Sequence, residues 1–452
     1  MATSTVNLAS SGTNATTPGL GTGIDVQQFV TNALANQQAA ITKLQNQQST
    51  LNDQTSALLN IQTDLNNLQK AEQALRDPFG EFNSQLATSS ASSVLSATAD
   101  GTAVSSVHTI SVSSLATTSS YYTDALANST TAFGNGSFTL QVGAGPAVTV
   151  TVDSTNNTLD GIAAAINAQN LGVNANVVTD ASGARLAIVS TTTGAPGDLT
   201  ISANSTGLAF NKAVTGTNAS LTVDGLPITS TSNSVSGVIA GVTLNLVSPS
   251  PTTPVTLSVG ADSSKATDAI NQFVSAYNTA IKDINTQFAV LPDGSGGGPL
   301  ESDGSLREVQ ASLLAAISSS VGGNNGIVNL ESIGVSLGDD GTLTVDQSKL
   351  SSALQSNFTS VQSFLQDPNT GFAFHLDNVL TNLTDPTAGA LGLDQVGVEQ
   401  NQRDITSQIS DLQAALATQR TNLTALYSQV NATLQELPLL EQQISQQLGG
   451  LS

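Results

Sequence analysis

The C-terminal segment carries a seven-residue repeat of apolar side chains that predicts a long helix with a single apolar stripe. One row of the stripe is Ile409, Leu416, Leu423, Val430, Leu437, Ile444 and Leu451, and the other is Ile405, Leu412, Gln419, Leu426, Thr433, Leu440 and Gln447. From Gln419 onward every second layer is polar. A single exposed helix of this kind does not recover the cost of ordering its residues, which is about 1–2 kcal/mol each. The stripe therefore needs a partner, either in the same chain or in another molecule.

Pro438 falls inside this repeat. Proline removes one helical hydrogen bond and clashes with the preceding turn. We expect the helix either to kink at Pro438 or to end its regular part there.

A second long helix is predicted near the N-terminus, from Asp25 to Leu75. It ends before "RDPFG", because Pro78 lacks the amide hydrogen that would continue the helix. Its apolar residues also recur every seven positions. The predicted seam between the two terminal helices comprises Leu44, Leu51, Leu58, Leu65, Ile409, Leu412, Leu416, Leu423, Leu426 and Val430.

Between the two terminal helices the chain changes from β-type to helical patterns. From about residue 82 to 260, apolar and small polar residues alternate as in half-buried strands, interrupted by one short helix at "NNTLDGIAAAINAQ". We expect "VTLNLVSPSPTTPVTLSVG" to form a hairpin that pairs Val242 to Leu246 with Val255 to Val259. Helices are then expected at 262–288, 306–317, 348–365 and 372–383, with a GDDG hairpin before the third and a linker at 385–397.

Charge and composition exclude several classes of function. Eleven basic residues stand against 33 acidic ones, a net charge of −22. Nucleic acids and anionic membranes are bound by clustered Lys and Arg, so neither is expected as a partner. Cysteine is absent, which excludes disulfides and thiolate sites. No run of apolar residues reaches the ~18 that a membrane span needs, and the N-terminus does not have the pattern of a cleavable signal peptide.

No pattern in the sequence indicates catalysis. The two histidines, His108 and His375, are far apart and carry no recognisable motif. The acidic turns lack the ligand spacing of a calcium-binding loop. We therefore expect no catalytic residue, no cofactor and no metal site.

The resulting fold prediction is an α+β multidomain chain. The helical ends pair as a coiled-coil-like leg and a helical body, and a β-rich head in two parts is inserted between them. We expect residues 1–45 and 399–452 to form the leg, and residues 46–80 and 262–398 to form the body with a β-hairpin. Residues 81–118 and 216–261 are expected to form one part of the head, and residues 119–215 an inserted second part.

The sequence also resembles a known family. "PGLGTGIDVQQFVTNAL" is similar to the N-terminal signature of bacterial flagellar filament-capping proteins, the hook-associated protein 2 family. "SSKATDAINQFVSAYNTAIKDINTQ" and "LESIGVSLGDDGTLTVDQSKLSSAL" resemble its C-terminal half, and residues 137–198 resemble the insertion motif shared with flagellins. The signature residues are Gly19, Leu20, Gly21, Gly23, Ile24 and Asp25.

The resemblance implies a structural cap at the extracellular tip of the flagellum, which promotes polymerisation of exported flagellin and prevents loss of monomer. It implies a ring-shaped homo-oligomer, contacts with flagellin and with the hook-filament junction protein, and passage through the flagellar type III export apparatus. Two alternatives remain open at this stage. The chain could be flagellin or a junction protein, or it could be a surface adhesin that uses its β-rich heads.

Overall fold

The structure is a computed structural model that describes residues 25–290, 296–322 and 324–449. Its long terminal helices, α1 (Val26–Arg76) and α7 (Ala390–Gly449), flank a β-rich central region. This confirms the predicted fold class. The signature residues Gly19 to Ile24 lie outside the described residues.

The termini of both long helices follow from local sequence. At the start of α1, Asp25 Oδ1 accepts a hydrogen bond from Gln28 N at 3.0 Å, as an N-cap residue does. Helix α7 continues through Pro438, so the regular helix does not end there. The predicted linker at 385–397 is wrong in extent, because α7 already begins at Ala390. Only a short turn remains, in which Asp385 Oδ1 accepts from Thr387 N at 2.7 Å and from Ala388 N at 2.9 Å.

The C-terminal half of α1 belongs to a helical region that we call the body. Its other helices are α3 (Ser263–Phe288), α4 (Gly304–Ile317), α5 (Gln347–Gln366) and α6 (Phe372–Thr384). Helices α3, α5 and α6 contact α1, and α4 packs against α3 and α6. Leu65 and Leu68 of α1 are fully buried there, together with Phe273 and Phe372. The predicted GDDG hairpin is confirmed, and Tyr277 Oη anchors its turn by donating to Gly341 O at 2.9 Å. Burial of a large apolar side chain such as Leu65 or Phe273 contributes about 1.5–3 kcal/mol to the stability of the fold.

Between α1 and α3 the described chain forms fifteen strands and one short helix, α2 (Leu159–Ala168), and the body adds two more strands. The strands are β1 (Gln85–Ser89), β2 (Leu95–Ala99), β3 (Ser106–Ser114), β4 (Thr118–Thr123), β5 (Gly136–Val142), β6 (Val148–Val152), β7 (Val173–Asp180), β8 (Gly183–Thr193), β9 (Leu199–Ser202), β10 (Phe210–Val214), β11 (Ala219–Val223), β12 (Leu226–Ser230), β13 (Ser234–Ile239), β14 (Val242–Leu246), β15 (Ser250–Ala261), β16 (Val335–Leu337) and β17 (Leu343–Val345).

The first β region consists of two facing sheets. One has the order β1-β15-β3-β11-β12 and the other the order β13-β14-β2. Alternate residues of both sheets, including Ile110, Leu244 and Leu257, form a common buried core. This is the arrangement of a small β-sandwich, in which each sheet keeps one face toward water.

This topology contradicts one predicted hairpin. Strand β14 pairs with β13 and β2, whereas β15 pairs with β1 and β3. Val242 and Val255 therefore lie in opposite sheets and meet across the core. The prediction was wrong because both strands alternate equally well, and alternation alone does not specify which strand is the neighbour.

The second β region is built around its own buried core. Two sheets, β10-β4-β8-β7 and β6-β5-β9, enclose it together with α2. Thr158 caps α2, because its Oγ1 accepts from Gly161 N at 3.0 Å. Phe138, Ile162 and Leu186 are fully buried in this core. Strands β5 and β6, and strands β7 and β8, form antiparallel hairpins.

Candidate assembly surfaces

The N-terminal half of α1 packs against α7, and the side-chain contacts show that the two helices are antiparallel. The rings of Phe29 and Tyr427 pack against each other at a tilt of 37°, with centroids 5.8 Å apart. Farther along α1, Gln37 Nε2 donates to Gln419 Oε1 at 3.0 Å, and Gln48 Nε2 donates to Thr406 Oγ1 at 2.9 Å. We call α1 residues 26–55 together with α7 residues 402–431 the leg pair.

The apolar part of this contact is narrow. Val30, Leu34 and Ile41 of α1 are buried, and Ile409 of α7 is buried. Among the predicted seam residues, Leu44, Leu51, Leu412, Leu416 and Leu423 are half-buried in the leg pair. Leu58 and Leu65 lie in the core of the body. The structure therefore distributes the predicted seam over two packing environments.

Sequence reasoning missed the first part of the α1 seam. Val30, Leu34 and Ile41 are spaced by four and seven, and this spacing would have extended the seam toward residue 26. The aromatic contact of Phe29 with Tyr427 had no signal in the periodicity of either helix alone.

Beginning within the leg pair and continuing past its end, α7 presents an exposed apolar stripe, which we call the distal stripe. It consists of Leu426, Val430, Leu437, Leu440 and Ile444, which are between 41% and 55% exposed. These residues continue the spacing of three, four and seven of the buried part of α7. Phe29, close to the start of α1, already lies beside Tyr427, so no described residue of α1 can cover Leu437 or the residues after it. Leu426 and Val430 thus belong to an exposed face of α7.

The body contains a buried carboxyl group that sequence reasoning also missed. Glu72 of α1 has no solvent exposure, and neither of its carboxyl oxygens has a hydrogen-bond partner among the described residues. Burial raises the pKa of Glu72 to about 8, against the opposing effect of Arg76, whose Nε lies 3.8 Å from Glu72 Oε1. Arg76 also contacts Asp377 Oδ2 of α6 at 3.2 Å. An acidic residue on a helix normally indicates a face exposed to solvent. The sequence pattern therefore did not indicate that Glu72 is buried.

A second acid on α1 faces α3. Burial raises the pKa of Asp64 to about 6, and a hydrogen bond and charge repulsion with Asp283 act in the same direction. Two like-charged carboxyl groups at one site do not both ionise easily. The contact of α1 with α6 near Glu72 and its contact with α3 at Asp64 are therefore sensitive to protonation of these carboxyl groups.

His108 takes part in a hydrogen-bonded chain on the first β region. Its Nδ1 lies 2.7 Å from Asp224 Oδ2, and its Nε2 lies 3.0 Å from Ser106 Oγ. Ser106 Oγ itself donates to Val104 O at 2.9 Å. The Ser106 proton is thus directed to the Val104 carbonyl and away from the imidazole. This pattern is unsuited to a serine nucleophile activated by a base, which requires the serine to donate to the imidazole.

The same chain has a structural role. Asp224 stands at positive φ in the β11-β12 turn, and its Oδ1 also accepts from Thr109 N at 2.8 Å. The hydrogen bonds from His108 and Thr109 lower the pKa of Asp224. The contact therefore fastens the turn to β3.

No group of three or more His, Cys, Asp or Glu side chains in residues 25–290, 296–322 and 324–449 is arranged to hold a metal ion. Over the same ranges, no helix combines the length and the apolar character needed to cross a membrane.

Comparison with known families matches most of the chain. The family described as "Flagellar hook-associated protein 2 N-terminus" matches residues 22–119, and "Flagellar hook-associated protein 2 C-terminus" matches residues 216–438. The B-type flagellar hook-associated protein 2 of Pseudomonas aeruginosa is 32% identical over 401 residues, which are 82% of this chain and 84% of that protein. The chain belongs to the flagellar hook-associated protein 2 family.

Other similarities in the family agree with the fold. The flagellar hook-associated protein 2 of Escherichia coli K12 is 27% identical over 451 residues, 92% of this chain and 95% of that protein. The crystal structure of the flagellar cap protein FliD D1-D2-D3 domains from Escherichia coli matches with a TM-score of 0.55 and 29% identity, covering 76% of this chain and 99% of that chain. The "Flagellin hook IN motif" matches residues 134–192, within the second β region.

Proposed function

We propose that this chain is a structural cap at the distal tip of a bacterial flagellar filament. In this role it promotes polymerisation of exported flagellin and prevents loss of monomer to the medium. Membership of the hook-associated protein 2 family supports the proposal, as does similarity to a crystal structure described as a flagellar cap protein. Family membership also favours this role over flagellin itself, which is one of the alternatives that the sequence left open.

The proposal places the protein outside the cell, reached through the flagellar type III export apparatus. Its partners are further copies of itself in a ring, flagellin and, at the start of filament growth, the hook-filament junction protein. We assign the legs to residues 1–45 and 399–452, the body to 46–80 and 262–398, and the head to 81–118 with 216–261 and to 119–215. No cofactor is required for this role.

The observation that carries the proposal within this chain is the distal stripe of α7. Five large apolar side chains remain exposed on one helix face, and from Leu437 onward that face lies beyond the described part of α1. A helix with this pattern is stabilised when a second apolar surface covers it. We propose that another molecule of the tip, flagellin or a junction subunit, supplies that surface during capping.

A deletion strain complemented with variants of α7 tests this function. We expect Leu440→Asp to abolish capping while leaving the folded chain intact, because the side chain is 51% exposed and lies outside the leg pair. Leu416→Asp should abolish capping and also separate the leg pair. Motility and the amount of flagellin in the culture medium are the measurements.

Ala414→Asp is the matched control, since Ala414 is exposed and lies on the face of α7 opposite Leu416. Normal motility and normal flagellin retention in the Leu440→Asp strain would exclude the distal stripe as the working contact. A deletion strain that grows full-length filaments without losing flagellin would contradict the capping role altogether.

A further inference from the structure

The five-stranded sheet of the first β region has one face that no described part of the chain covers. Its inner face packs on the three-stranded sheet through residues such as Ile110 and Leu257. The intervening residues point outward and are exposed or half-buried. The outward residues are Leu86, Thr88, Val107, Thr109, Ser111, Ser113, Ser220, Thr222, Pro227, Thr229, Thr256, Ser258 and Gly260.

This outward face carries no charged side chain. Elsewhere the chain is strongly acidic, with 33 acidic against 11 basic residues. Two copies of such a chain repel each other through most of their surfaces. A face of hydroxyl, aliphatic and glycine residues is where two copies can approach without placing like charges together. A basic partner, by contrast, would gain nothing from this face.

Apolar anchors are concentrated at one end of the face. Val107 is 68% exposed and lies in one cross-strand row with Ser258 and Thr88. Leu86 is 49% exposed and pairs with Gly260 in the adjoining row. The connections that lead into β3 and β1 at this end add Val104 and Phe79, which are 72% and 81% exposed. Large exposed apolar side chains of this kind are typical anchors of protein interfaces.

Gly260 leaves a depression beside these anchors. A Cβ atom built at Gly260 would meet no atom within 4 Å. The backbone there is ordinary strand, so the fold itself does not require glycine at this position. The open space beside Leu86 is therefore available for a side chain from outside the chain.

We propose that this outward face is a contact surface for a second copy of the chain, with Leu86, Val107 and the depression at Gly260 at its centre. The proposal rests on the ring assembly put forward above and assigns to it a specific surface. The outward face of the three-stranded sheet is also rich in hydroxyl groups, such as Thr98 and Ser236. Its strands expose no large apolar side chain, and the adjoining Val247, just past β14, is 53% exposed. The larger cluster of apolar anchors lies on the five-stranded sheet.

The dimensions of the face indicate how strong the contact is. Five strands about 4.8 Å apart span roughly 20 Å, and a few residues along each strand give about 300 Å². A stable interface buries about 800 Å² on each partner. The face is therefore one part of a larger contact, and its loss should weaken assembly rather than block folding.

Sedimentation velocity over a series of concentrations of the full-length chain tests the proposal. We expect Val107→Asp and Leu86→Asp each to raise the concentration needed for assembly by about tenfold or more, as loss of a buried apolar anchor does. Gly260→Leu, which fills the depression without adding charge, should act in the same direction. Thr98→Asp on the opposite sheet is the control and should assemble like the unaltered protein. Circular dichroism checks that all four variants are folded.

Unaltered assembly in Val107→Asp, Leu86→Asp and Gly260→Leu would overturn the assignment of this face and leave the capping role intact. An equal loss in Thr98→Asp would overturn it too, since added charge alone would then explain the effect. An unaltered protein that remains monomeric at every concentration would contradict ring assembly itself. Motility of the deletion strain, in the experiment above, tests the capping role separately.

Discussion

Helix α1 contributes to two regions of opposite character, and their difference separates stability from assembly. In the body its side chains pack against α3, α5 and α6, and Leu65 and Leu68 have no solvent exposure. In the leg pair the same helix packs mainly against α7, and glutamine contacts such as Gln48 to Thr406 alternate with apolar ones. The body can hold the fold without help. The leg pair is marginal by itself, so it is suited to partners outside the chain.

The sharpest test of this contrast removes one large side chain from each region. We expect Leu68→Ala to lower the free energy of unfolding by about 2–5 kcal/mol, because it leaves a cavity in a fully enclosed core. Leu440→Ala on the distal stripe should change it by less than about 0.5 kcal/mol, since the side chain is already exposed. Urea denaturation of both variants is the measurement. Equal losses would remove the distinction between the two regions.

A second test uses the buried acid of the body. The pKa of Glu72 is about 8 in the folded chain and about 4.5 when the group is unperturbed. As pH rises between these values, the unfolded chain releases the proton and the folded chain retains it. The free energy of unfolding therefore falls as pH rises, by up to about 5 kcal/mol over the whole range. Below pH 4.5 this stabilisation is fully present, and above pH 8 the loss is complete.

Glu72→Gln should remove this dependence and make the body more stable than the unaltered protein at pH 8. Chemical denaturation at pH 7.0, 7.5 and 8.0 measures the slope. Asp64→Asn is the matched control, because the pKa of Asp64 is about 6 and its contribution ends below this window. A slope that persists in Glu72→Gln would show that the carboxyl group is not the source. The leg pair contains no comparable buried acid among its described residues, so this effect belongs to the body.

The smallest effect is expected from the polar contacts of the leg pair. Gln48→Ala removes the hydrogen bond to Thr406 at a solvent-exposed site, and we expect a loss of about 0.5–1 kcal/mol or less. Hydrogen exchange of the α1 amides should show faster opening near residue 48 and unchanged protection near Leu68. Gln62→Ala, at a half-buried position of α1 within the body, serves as the control. Unchanged exchange near residue 48 would indicate that apolar contacts alone hold the leg pair.

Much of the local structure was accessible from sequence. Heptad rows located α1 and α7, and alternation located most strands. Asp262 and Thr158, residue types that commonly cap helices, cap α3 and α2. These features depend on neighbours within a few positions, such as i+3 and i+4 along a helix or i+2 along a strand. The antiparallel leg pair was also anticipated as a pairing of the terminal helices. Its register was not, because polar layers such as Gln37 with Gln419 fit several alignments.

What tertiary structure decided was the environment of residues that look alike in sequence. Val242 and Val255 have the same alternating pattern, yet the sandwich places them in opposite sheets. Leu416 and Leu437 belong to one heptad row, yet only Leu416 lies beside α1. Glu72 looks like a solvated acid and is buried beside Arg76. The sequence by itself determines which local elements form, because their periodicity is short-range. Partners, burial and exposed faces depend on contacts between distant segments, which no local pattern encodes.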